Sequence, residues 1–184
     1  MYNNFWHELY HYGIKGQKWG VRNGPPYPIE DRVFISGSSK TQTKDSGYYR
    51  KKLPAEISKK IDEYVKDKKR IIVGDAPGID SQVQTYLSNK KYNKVTIYTT
   101  EKQPRFYANK DLGWKVKRIK SNETDMKKRL VAKDIAMTND ATEALAVILD
   151  NGATATRNNI ERLRQKGKEA LVFQLNISEK DDWS

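Results

Sequence analysis

The chain has 184 residues, a formal net charge of +12, a hydrophobic fraction of 36% and no cysteine. That length holds one core and a tail, and the missing cysteine excludes both a disulfide framework and thiolate chemistry. No apolar run is long enough to cross a bilayer and the polar, aromatic start does not read as a secretory leader, so no membrane partner is expected.

Residues 1–30 carry only +1 of the charge. They are rich in aromatic residues, glycine and proline, show no lasting period, and end in the linker-like Asn23-Gly24-Pro25-Pro26. We read 1–30 as a basic, aromatic tail and linker, 31–176 as the folded domain and 177–184 as a C-terminal tail. The remaining +11 favours an anionic partner without naming it.

In the domain, Val33-Phe34-Ile35 is a short apolar run suited to a buried parallel strand. Pro54 can open a helix that carries Ile57, Ile61, Tyr64 and Val65 at helical spacing. A second strand is expected at 70–74, a helix at 78–89 and a third strand at 94–99. Residues 100–124 show no clear period and read as a long excursion. A helix is then expected at 127–139, a strand at 144–149, a helix at 156–166 closed by Gly167, and a last strand at 170–175. This alternation predicts an α/β, Rossmann-like three-layer domain with a five-stranded parallel sheet, preceded by a short irregular tail. The expected strand order is third-second-first-fourth-fifth. A ligand would then lie beyond the strand ends near Gly37 and Leu149, where the order reverses.

Three loops meet at that edge. In Gly37-Ser38-Ser39-Lys40, the glycine leaves room for a ligand, the serines offer hydroxyls and the lysine a cation. The same residues also suit an ordinary polar loop. In Gly74-Asp75-Ala76-Pro77-Gly78-Ile79-Asp80, two glycines let backbone approach a ligand beside free helix N–H groups. Asp80 falls in the first helical turn, where a carboxylate is favoured on electrostatic grounds alone. Asp75 would sit at the mouth as a ribose acceptor, a general base or a turn-stabilising group. In the third loop, Asp150 to Asn159, Thr154 and Thr156 are candidate caps and phosphate donors, Asp150 could take a hydroxyl or amine, and Asn158 and Asn159 offer amides. The excursion adds Arg105, which can fork onto phosphate, Asn109, and Trp114, which can stack on a base or plug the core. His7 and His11 are spaced for one helical face, but no third ligand lies near, so neither a metal nor a cofactor is expected.

Together VFISGS, IIVGDAPGID, KDIAMTNDA and DNGATATRNNIERLRQKGK resemble the SLOG superfamily, which includes DprA-like and LOG-like Rossmann domains. The resemblance covers about Arg32 to Leu175. It implies a nucleotide-type site that includes Gly37, Ser38, Gly74, Asp75, Gly78, Asp80, Gly152 and Thr156. LOG-like phosphoribohydrolases carry a carboxylate three residues after a motif threonine; Asn159 holds that place here, after Thr156, and Ala155 replaces the preceding glycine. An amide is neither nucleophile nor base, so hydrolysis would rest on Asp75. Separately, HYGIKGQKWGVR resembles an HxGIKGMKWGVR segment of bacteriophage virion-associated proteins, which implies a virion partner for residues 11–22 and a place in a bacterial host's cytoplasm or a phage particle.

The expected function is binding of a phosphorylated nucleotide derivative, of ADP-ribose or cyclic-nucleotide type, such as sequestration of a host immune signal by a phage. The ligand set is Gly37, Ser38, Ser39, Gly74, Asp75, Gly78, Asp80, Arg105, Asp150, Gly152, Thr154, Thr156 and Asn159. The alternative is an N-glycosidic nucleotide hydrolase using Asp75, and a third reading is single-stranded DNA binding through the basic face and aromatics. SLOG-like relatives also suggest a homo-oligomer.

Overall fold

Side chains alternate across a strand, so an apolar run with helices on both sides of the sheet feeds two cores. Strand β1 (Arg32–Gly37) does this: Val33 and Ile35 enter one core while Phe34 enters the other. The computed structural model describes residues 30–38, 53–149 and 153–175. The chain divides into the units Met1–Glu30 and Asp31–Ser184, and the fold described is that of the second. The tail segment 11–22, His7 and His11, and the candidate residues Ser39, Lys40, Asp150, Asn151 and Gly152 lie outside the described residues.

After β1 come α1 (Ala55–Lys66), β2 (Arg70–Val73), α2 (Ile79–Asn89) and β3 (Val95–Thr99). A 3₁₀ turn (Lys110–Leu112) leads to β4 (Lys115–Arg118), followed by α3 (Met126–Asp140), β5 (Glu143–Leu149), α4 (Thr154–Gln165) and β6 (Glu169–Leu175). The sheet is six-stranded in the order β4-β3-β2-β1-β5-β6, and every pairing is parallel.

The fold class and the order of five strands agree with the sequence expectation, but the sheet has one strand more than the five expected. That strand, β4, lies inside the supposed excursion. Its residues Lys115, Val116, Lys117 and Arg118 are all exposed. It is an edge strand held by backbone pairing to β3, so it carries no burial pattern to read. Lysine-rich exposed edges also discourage pairing with other chains.

The larger core joins Ile57 and Ile61 of α1, Val83 and Leu87 of α2, and the β residues Ile71, Val73, Ile97 and Leu145. The opposite face packs Phe34, Ile72 and Tyr98 against Met137 of α3 and Leu163 of α4, with Ile160 of α4 over Ala146 and Ile148. Trp114 belongs to the first core. It is buried, donates its Nε1–H to the Tyr92 carbonyl at 2.7 Å and stacks on Tyr107. The base-stacking role entertained for it is corrected: it plugs the core.

Two glycines are explained by local geometry, one by packing and one by backbone conformation. A Cβ on Gly37 would lie 2.4 Å from Ile79 Cγ1 and 2.5 Å from Ile79 Cβ, so the bare backbone lets the start of α2 sit on the end of β1. The Ile79 amide donates to the Ser38 carbonyl across the same contact. Gly78 caps α2 with φ 95°, a left-handed conformation that disfavours a side chain.

Candidate functional site

The sheet order reverses at β1, with β2, β3 and β4 on one side and β5 and β6 on the other. Helices diverge there, and a cavity of about 330 Å³ opens at that point. This is near the lower end of the several-hundred-Å³ range of small-molecule sites. Its wall comes from four elements: Ser36, Gly37 and Ser38 from the end of β1, Ala76, Pro77 and Asp80 from the β2–α2 turn, Lys133, Asp134 and Met137 from α3, and Ala153, Thr156 and Asn159 from the start of α4. Arg105 reaches it from the segment after β3.

Six sequence candidates therefore share one cavity: Gly37, Ser38, Asp80, Arg105, Thr156 and Asn159. Gly74 and Asp75 lie outside its wall. A Cβ on Gly74 would meet Asp80 Oδ2 at 2.2 Å and Lys133 Nζ at 2.8 Å, so Gly74 makes room for those two side chains to converge. Gly78 serves as the helix cap already described, and Thr154 is exposed away from the wall.

Asp75 is almost fully buried. Oδ2 accepts from the Thr99 hydroxyl at 2.8 Å and the Arg105 amide at 3.1 Å, while Oδ1 accepts from the Arg105 guanidinium at 2.8 Å. Burial alone would push its carboxyl up, but the Arg105 guanidinium and amide and the Thr99 hydroxyl outweigh it and hold the pKa below the ordinary value. A carboxylate so committed suits the holding of Arg105 in place, and it is badly placed for the general-base role considered from the sequence.

Asp80 is the opposite case. Oδ2 accepts from the Ala76 amide at 3.2 Å, which closes the turn, and the side chain also forms cavity wall. Burial pushes its carboxyl up to about 6, against the pull of Lys133 and the Ala76 amide. A carboxyl raised above its ordinary 3.8 stabilises the fold while protonated. That contribution is complete below the ordinary value and is lost as the pH rises through about 6. Carbon-detected NMR titration of the Asp80 carboxyl is expected to show a midpoint near 6; a midpoint of about 4, the free-aspartate range, would refute this environment.

Lys133 and Asp134 were not singled out from the sequence. Lys133 is buried, and its Nζ lies 3.7 Å from Asp134 Oδ1. Burial also raises the Asp134 carboxyl, opposed by Lys133 and by the Asn159 amide. Asn159 is fixed between partners: its Nδ2 donates to Ser36 Oγ at 3.3 Å and Asp134 at 3.5 Å, and its Oδ1 accepts from Arg162 at 2.7 Å. A readable signal existed. Leu130, Lys133, Asp134 and Met137 stand at i, i+3, i+4 and i+7, so two charges occupy the stripe that faces the sheet, while Val131 and Ile135 are exposed.

At the start of α4, Ala153 offers no side-chain cap, so the first-turn N–H groups have no acceptor from it. Thr156 is buried in the wall beside them. Such a terminus, with a hydroxyl and an arginine on the same cavity, is suited to an anionic oxygen. Among the described residues no group of three or more His, Cys, Asp or Glu could hold a metal ion, and no helix is long and apolar enough to cross a membrane.

No family model matches the sequence, and no curated protein matches it. Among solved structures it is similar to DNA processing protein A from Helicobacter pylori, described for its single-stranded DNA binding mode. The TM-score is 0.53 at 13% identity, over 83% of this chain and 69% of that one. At that identity the likeness shows the fold alone, and the Rossmann-like α/β architecture expected from the sequence is shared with that protein.

Proposed function

We propose, from a fold shared with DNA processing protein A, that this domain binds a small phosphorylated nucleotide derivative in the cavity between β1, α2, α3 and α4. The observation that carries this is the convergence of Arg105, Thr156 and the α4 N-terminus with Asp80, Lys133 and Asn159 on one half-open cavity at the sheet's switch point. The cationic and N–H groups suit phosphate, and the carboxylates suit hydroxyl or amino groups. Asn159 and the occupied Asp75 both argue for holding over hydrolysis. A holder without turnover suits sequestration of a signal nucleotide, of ADP-ribose or cyclic-nucleotide type. Calorimetry of the full chain with ADP-ribose, AMP and cyclic AMP tests this. Saturable binding of at least one is expected, without release of free base; failure of all three refutes it.

A second reading follows from the relative's single-stranded DNA binding and from the exposed Lys115, Lys117 and Arg118 on the β4 edge. In that case oligonucleotide affinity would fall steeply with salt, whereas a flat response would dismiss it.

A further inference from the structure

We infer that Lys133, set beside Asp80 and Asp134, is a specificity-determining residue that reads the vicinal hydroxyls of a ribose, so that the site prefers ribonucleotides to 2′-deoxyribonucleotides. The inference rests on the nucleotide-binding reading and deepens it.

Lys133 is 4% exposed and forms part of the cavity wall. Among the described residues its ammonium has no hydrogen bond: the contact to Asp134 is 3.7 Å, beyond hydrogen-bond reach. Asp80 lies close by as well, since Asp80 Oδ2 and Lys133 Nζ both crowd the position of a Cβ on Gly74. Its donors face the cavity, where a ligand oxygen can accept from them.

The chemistry of the acceptor follows from the neighbours. Phosphate is an acceptor-only anion, and two carboxylates beside the lysine repel it. A hydroxyl both accepts and donates. A vicinal pair can therefore accept from Lys133 and donate to Asp80 and Asp134 together. Phosphate is better placed against Thr156 and the α4 N-terminus, with Arg105, which already gives one N–H of its guanidinium to Asp75, beside them. The Asn159 amide, donating to Asp134 and fixed by Arg162, orients that carboxylate.

The test is calorimetry of the full chain with AMP and 2′-deoxy-AMP, on the wild type and on Lys133→Met. The wild type is expected to bind AMP roughly ten- to a hundredfold more tightly, the effect of one hydrogen bond to a charged group. Lys133→Met should weaken AMP and abolish the preference. Equal wild-type affinities overturn the inference while leaving nucleotide binding intact, and that arm needs no variant to fold. A preference that survives in Lys133→Met overturns it also. If the wild type binds neither these nucleotides nor ADP-ribose, both readings fail together.

Discussion

Asp75→Ala is expected to destabilise the domain by about 3 kcal/mol and to weaken ligand binding with it. The carboxylate is 1% exposed and accepts three hydrogen bonds, two from Arg105 and one from Thr99. Deleting it strands the buried Thr99 hydroxyl, at a cost of roughly 1–3 kcal/mol, and removes the acceptor of the part-buried Arg105 amide. Breaking a buried ion pair from one side costs about 3–5 kcal/mol, but the Arg105 side chain is 30% exposed and can return to water, which favours the lower end. Arg105 would then leave the cavity wall. The depressed Asp75 pKa gives the sign of the pH effect. Its stabilising contribution is present above the ordinary aspartate value and is lost as the pH falls through the depressed one. Urea denaturation at neutral pH measures the loss. A variant of wild-type stability would show that the three bonds carry nothing and would reopen a chemical role for Asp75.

Trp114→Ala should cost more, about 3–5 kcal/mol, the usual range for deleting a large buried aromatic. Its ring is 4% exposed, stacks on Tyr107 with centroids 6.0 Å apart, and packs in the core that α1 and α2 form against the sheet. The Tyr107 hydroxyl also donates to the Trp114 carbonyl at 3.1 Å. The indole therefore ties the segment between β3 and β4 to the domain. Thermal unfolding followed by circular dichroism checks this. A loss below about 1 kcal/mol, typical of a surface position, would contradict the packing and restore a ligand-facing role for the indole.

Interior strands such as Val33-Phe34-Ile35 and Arg70-Ile71-Ile72-Val73 were legible because burial on both faces leaves a continuous apolar run. Strand β4 was not, since an exposed edge strand is specified by backbone pairing and places few demands on side chains. The turn GDAPGID was expected to face a ligand, and Ala76, Pro77 and Asp80 of it line the cavity, but its two aspartates sit differently from the expectation. Asp75 turns inward to hold Arg105, while Asp80, explained from the sequence as a helix-end charge, forms cavity wall. Nothing in the spacing of two aspartates five residues apart says which will meet an arginine thirty positions later. Lys133 and Asp134 were missed for a related reason: a lysine beside an aspartate on a helix ordinarily faces solvent, and only their place in the stripe between Leu130 and Met137 marks them as inward.

The proposed nucleotide site is the cavity at the β1 switch point. Amide chemical-shift mapping during titration with ADP-ribose tests it most directly. The expected result is saturable shifts at Ser36–Ser38, Ala76 and Ala153–Thr156, with the β4 amides of Lys115–Arg118 unchanged. Shifts confined to the basic β4 edge, or none up to saturating ligand, would contradict it.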